Sequence, residues 1–135
     1  MSLPCVFLAS LAAWTIGAPA MASPLLSCDI TQNGETRTLE FAPVTDPYRV
    51  ESVDINERFR FKAVVAASGG RVDYVSLYAY HYSPSDQAVL LHQAKYRSPV
   101  IREKLVPNSL TGEHYLYSPN QGREMKYGCA LVEVP

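Results

Sequence analysis

From Arg58 to Tyr96 apolar and polar side chains alternate with a period of two. The alternation runs through Arg58-Phe59-Arg60-Phe61-Lys62-Ala63-Val64-Val65, then Val72 to Tyr82, then Val89 to Tyr96. Ser68-Gly69-Gly70-Arg71 and Ser83-Pro84-Ser85-Asp86-Gln87 punctuate it. Aromatic and β-branched residues between glycine and proline breaks predict a three-stranded antiparallel meander.

The faces of these strands depend on the loops. Phe59, Phe61, Ala63 and Val65 share one face of the first strand, with Arg58, Arg60 and Lys62 on the other. Val75, Leu77 and Ala79 oppose Tyr74, Ser76, Tyr78, Tyr80 and Tyr82 in the second. A two- or four-residue turn at Gly69-Gly70 would set Tyr78 beside Phe61. A three-residue loop with a glycine bulge sets Leu77 beside Phe61 and Tyr78 beside Arg60, which gathers the aliphatic side chains in the core and is the expected arrangement. A five-residue loop from Ser83 to Gln87 pairs Tyr82 with Ala88, Tyr78 with His92 and Tyr74 with Tyr96, and brings Leu91 to Ala79.

Upstream, Asn33-Gly34 separates two alternating segments, Leu26 to Gln32 and Glu35 to Phe41. Asn-Gly favours a two-residue turn with positive φ at both positions, which pairs Cys28 with Leu39, Leu26 with Phe41 and Ile30 with Arg37. Pro43 and Pro47 interrupt pairing. Tyr48 to Ile55 reads as extended, with a bulge near Glu51-Ser52. Ser98 to Asn108 is a crossover in which Val100 to Val106 forms a short strand or one helical turn. Leu110 to Tyr117 and Glu124 to Val132 close the chain as a hairpin around Ser118 to Arg123. Leu116, Met125, Tyr127, Cys129 and Leu131 face in; Tyr115, Tyr117 and Lys126 face out.

About seven or eight short strands without a long helical period predict an all-β, two-sheet antiparallel sandwich, immunoglobulin-like in its leading form. A small β-barrel is the second choice. The Cys-Trp-Cys signature of immunoglobulin domains is absent.

Charge divides the chain unevenly. Residues 1–28 carry no charged side chain, and the remaining 107 carry all 25. Val6 to Ile16 has the length of a secretory apolar core, and Ala20-Met21-Ala22 fits the small-x-small cleavage rule. The expected organisation is a signal peptide over 1–22 and a single domain over 23–135, exported to the periplasm or outside the cell. Pro19 and Pro24 interrupt any spanning helix through this stretch, so stable membrane insertion after cleavage is not expected. Cys28 and Cys129 then remain as an even pair, which in an exported domain predicts a disulfide from the first strand to the last. The alternative is a lipoprotein anchored at Cys28, since Leu25-Leu26-Ser27-Cys28 loosely resembles a lipobox.

Twelve basic and thirteen acidic residues leave a net charge of −1. Without a basic excess, general nucleic-acid binding is not expected. Nine tyrosines are the distinctive feature. On the expected register Tyr74, Tyr78, Tyr80, Tyr96 and His92 share a face with Arg58, Arg60 and Lys62. Tyr and Arg anchor protein interfaces, and phenol rings also stack on sugars. Half-buried tyrosines under cationic side chains are equally an ordinary way to finish a sheet face. His81 and His92 fall on opposite faces, no His-x-His occurs, and the disulfide takes the thiols, so neither a metal nor another cofactor is expected. Gly-x-Ser-x-Gly, His-Glu-x-x-His and a phosphate-cradling glycine loop are all absent. The reading is a non-enzymatic binding module whose partner is another envelope or extracellular protein. Glycan or small-ligand binding on the same face is the alternative, and a small His-dependent hydrolase or metal carrier is a third possibility.

Overall fold

The computed structural model describes residues 12–18, 21–82, 85, 87–119 and 121–135. Cys5, most of the apolar run 6–16, Pro19, Ala20 and parts of the two loops 83–87 and 118–123 lie outside the described residues. Eight strands form: β1 (Ser23–Gln32), β2 (Glu35–Phe41), β3 (Val53–Ile55), β4 (Phe59–Ser68), β5 (Arg71–His81), β6 (Val89–Arg97), β7 (His114–Tyr117) and β8 (Glu124–Val134). They make two four-stranded sheets, ordered β2-β1-β8-β7 and β3-β4-β5-β6. The two-sheet, all-β architecture is therefore as expected.

The immunoglobulin-like connectivity is not. Every hydrogen-bonded neighbour is also a neighbour in sequence, except that β1 lies against β8. A Greek key needs a long connection that returns a strand beside an earlier one within the pattern 4-1-2-3. Here the chain instead runs up and down, crossing between sheets at β2 to β3 and at β6 to β7. The order is that of a small barrel, the second choice, with two seams left without a ladder. Across the first seam Arg37 Nη1 donates to the Asp54 carbonyl at 3.0 Å.

The first hairpin forms as its turn dictates. Asn33 and Gly34 have φ of 54° and 78°, and Leu26 faces Phe41, Cys28 faces Leu39 and Ile30 faces Arg37. Beyond it the expected extended run 48–55 is shorter. Pro47–Arg49 is one 3-10 turn, capped where the Asp46 carboxylate accepts from the Tyr48 amide at 3.0 Å, and only Val53–Ile55 pairs with β4. Proline at the first position and an Asp cap favour a helical start over an edge strand.

Between β4 and β5 the turn is the two-residue Gly69-Gly70, with φ of 56° and 76°. A register shift beyond it, at Asp73, then restores the parity that the three-residue loop was expected to supply. Phe61 lies opposite Ala79, Lys62 opposite Tyr78 and Ala63 opposite Leu77, two residues along from the expected pairs but on the same faces. Phe59, Phe61, Val75, Leu77 and Ala79 are fully buried.

The core joins these to Leu26, Cys28, Ile30, Leu116, Met125, Tyr127, Cys129 and Leu131 from the other sheet. Phe61 bridges the layers, its ring 6.0 Å from Phe41 and 5.1 Å from Tyr127. Cys28 and Cys129 are directly opposite on β1 and β8, with Cα atoms 4.1 Å apart and a disulfide between them. That bond occupies the sulfur that lipidation at Cys28 would need, and Cys28 is sealed in the core. Disulfide bonding and lipidation exclude each other at Cys28, so the bond counts against the lipoprotein alternative.

The closing hairpin has the expected register, Leu116 opposite Met125 and Tyr117 opposite Glu124. The crossover is neither a strand nor a helical turn. It makes one parallel bridge, Arg102 to Val132, and then lies along β8, where the Leu110 and Thr111 amides donate to the Cys129 carbonyl. Asn108 rests on the backbone of Gly128, where any Cβ would overlap its carboxamide.

Candidate functional site

The site is built on the outer face of the β3-β4-β5-β6 sheet. Alternation on β4 turns Arg60 and Lys62 outward, and on β5 it turns Tyr74, Tyr78 and Tyr80 outward, all half-buried. Cross-strand pairing sets Arg60 opposite Tyr80 and Lys62 opposite Tyr78. The cations then lie over rings: Lys62 Nζ is 4.8 Å from the Tyr78 centroid, Arg60 Cζ is 5.0 Å from Tyr82, and Lys95 Nζ is 4.0 Å from Tyr74. Arg60 is further fixed by Ser52, donating from Nε to the hydroxyl at 2.7 Å and from Nη2 to the carbonyl at 3.0 Å. Val50, Glu51, Ser52, Arg60, Lys62 and Tyr80 line a shallow open hollow of about 470 Å³. Burial, and then the neighbouring Tyr78, raise the Tyr80 phenol above its ordinary pKa. The face therefore presents phenols beside fixed cations.

Three expected members are elsewhere. The β5–β6 ladder begins on the expected register, His81 opposite Val89 and Tyr80 opposite Leu90. A bulge then places Ala79 opposite His92, leaving Leu91 as the extra residue. Everything beyond shifts by one, so Gln93 lies opposite Tyr78 and Arg97 opposite Tyr74. A shift of one residue exchanges faces. His92 and Tyr96 consequently turn inward and leave the outer face, while Lys95 and Arg97 join it. The sequence itself held the signal: Gln93, Lys95 and Arg97 are the polar set of β6, and Ala94 and Tyr96 the less polar one. Arg58 is the third departure. It sits in the β3–β4 turn and lines a different hollow with Gln32, Asn33, Asn56 and Arg123.

Inside the sandwich, His92 meets side chains from the opposite sheet across the β6–β7 seam. Its ring lies 5.1 Å from His114 and 5.9 Å from Tyr127, and His114 stacks on Tyr127 at 5.1 Å. His114 Nε2 is 3.0 Å from the Thr111 carbonyl, which accepts. His92 Nε2 and the Tyr127 hydroxyl are buried with no hydrogen-bond partner among the described residues. Burial, with the neighbouring His114 second, lowers the His92 pKa; burial, with Tyr96 second, raises that of Tyr127. His81 is on the inner side too, edge-on to Phe59 at 6.3 Å. The bulge thus puts His81 and His92 on one face, not on opposite faces as expected. Even so, no group of three or more His, Cys, Asp or Glu side chains able to hold a metal ion occurs among the described residues.

Fold and site together define a disulfide-bonded, up-and-down β-sandwich with a tyrosine–cation face. No protein-family model matches the chain, and no curated protein or solved structure is similar to it.

Proposed function

We propose that this protein is an exported, non-enzymatic binding module that docks an acidic surface of another envelope or extracellular protein on the outer face of the β3-β4-β5-β6 sheet. The observation that carries the reading is how the cations are held. Lys62 and Lys95 rest on tyrosine rings, and among the described residues neither is in an ion pair. An incoming carboxylate meets an ammonium already positioned and only partly compensated, beside phenols that contribute area and hydrogen bonds. A sugar platform fits less well. Stacking needs a bare ring face, and cations lie over Tyr74, Tyr78 and Tyr82.

Export is supported by the buried Cys28–Cys129 bond, which suits an oxidising compartment. It is supported also by the uncharged first 28 residues and by β1 starting at Ser23, the expected mature terminus. No helix among the described residues is long and apolar enough to cross a membrane.

The test is cross-linked capture from the native envelope or culture fluid with four forms: wild type, Tyr78→Ala, a Lys62→Glu/Lys95→Glu charge reversal, and Tyr115→Ala on the opposite sheet. One partner should be held by wild type and Tyr115→Ala, weakened by Tyr78→Ala and lost on charge reversal, with recovery when acidic residues of that partner are reversed. Retention by the charge-reversed form, or loss on Tyr115→Ala alone, would move the interface elsewhere.

A further inference from the structure

We propose that the pole of the sandwich where the β1–β2, β3–β4 and β7–β8 turns meet is a binding site for a tetrahedral oxyanion, a phosphate or sulfate group. Gln32, Asn33, Asn56, Arg58 and Arg123 line a hollow there of about 330 Å³, and no Asp or Glu is among them. Arg58 and Arg123 are half-buried, and neither is in an ion pair among the described residues. Two guanidiniums facing one concavity repel each other and lose part of their hydration. An anion between them relieves both, and each fork can give it two parallel N–H bonds.

The stems of both arginines are fixed before any ligand arrives. The Arg58 amide donates to the Ile55 carbonyl at 3.1 Å, and its own carbonyl accepts from the Tyr82 amide at 2.9 Å. The Arg123 amide donates to the Ser118 hydroxyl at 3.1 Å, and its carbonyl accepts from the Ser118 amide at 2.8 Å. The carboxamide wall is set as well. Gln32 is buried, and its Oε1 accepts from Asn56 Nδ2 at 2.7 Å, tying the end of β1 to the β3–β4 turn. That bond leaves the Gln32 amino group as the uncommitted end of the side chain. Fixed donors reduce the ordering cost of binding. Two full positive charges suit a doubly charged phosphate or sulfate better than a single carboxylate. The site shares no residue with the proposed docking face, so either can stand without the other.

Backbone amide shifts of the ¹⁵N-labelled full chain, titrated with sodium phosphate against sodium chloride at matched ionic strength, test it. Saturable shifts are expected at Asn33, Asn56, Arg58 and Arg123. Arg58→Gln and Arg123→Gln should each weaken phosphate binding by about tenfold or more, while Arg71→Gln, at an exposed arginine at the start of β5, leaves it unchanged. Should a Gln variant lose its dispersed spectrum, Arg58→Lys or Arg123→Lys replaces it: charge remains, the planar fork is gone, and weaker binding is again expected. Methyl phosphate binding as well as inorganic phosphate assigns the site to an esterified group on a larger molecule; binding of inorganic phosphate alone assigns it to the free anion. Linear shifts reproduced by chloride, or saturable binding that survives the Arg58→Gln/Arg123→Gln double variant, overturn the proposal.

Discussion

At the scale of single residues, one decision organises the molecule: in β5, Val75, Leu77 and Ala79 look in while Tyr74, Tyr78 and Tyr80 look out. Phe61→Ala should therefore lower stability by about 3–5 kcal/mol, because it opens a cavity between the layers. Tyr78→Ala should cost about 1 kcal/mol, the loss of one cross-strand contact under a lysine. Urea unfolding of the two variants checks the order, and the reverse order would turn the sheet over. His92 carries a pH dependence. Its folded-state pKa lies below the ordinary value, so below about pH 6.5 the unfolded chain takes up a proton that the folded one refuses. Stability should fall as the pH drops through that point and level out beneath the folded value. His92→Phe should flatten this part of the curve, as read from unfolding midpoints at neutral pH and at about pH 5. Which side chains line the core was legible from alternation alone. The place of His92 and Tyr96 was not, because register was carried from the turn across a strand that contains a bulge.

Among the elements, legibility follows the agreement between turn and pattern. In the first hairpin the Asn-Gly turn and the apolar alternation demand the same pairing, and that pairing forms. In β6 the turn is obeyed for two pairs and then overruled at Leu91. The competing demand is the interior: with the bulge, Tyr96 packs against the core and His92 reaches His114. Deleting Leu91 should remove the bulge while keeping His92 opposite Ala79, since the pairs on either side already follow one another. The expected cost is about 1–2 kcal/mol of lost apolar burial. His92 and Tyr96 should stay inside, and a still depressed imidazole titration followed by NMR would show it. The 3-10 turn at Pro47–Arg49 follows a local signal, the Asp46 cap before Pro47, that the extended reading of 48–55 passed over. The irregular path of 98–113 was hidden for another reason: it is shaped by contact with a distant strand, Arg102 with Val132, that no local pattern announces.

For the whole molecule, the two sheets and the disulfide could be expected from strand count and cysteine parity, whereas the strand order could not. Alternation states that a strand has an inner face; it does not say which sheet it joins. The Cys28–Cys129 bond spans 101 residues, so it removes much of the freedom of the unfolded chain. Replacing both cysteines by alanine should cost about 3–5 kcal/mol, visible as a lower thermal midpoint, with the strand pairing retained.

The pairing of the first strand with the last has a consequence for geometry. Ser23 lies opposite Val134 and Gln32 opposite Met125, so a leash spliced to either end of the domain departs from one spot. The ten residues of β1 carry the chain about 30 Å from there to the arginine-lined hollow. A molecule moored at either terminus would hold that hollow at its far tip, pointed away from whatever it is moored to.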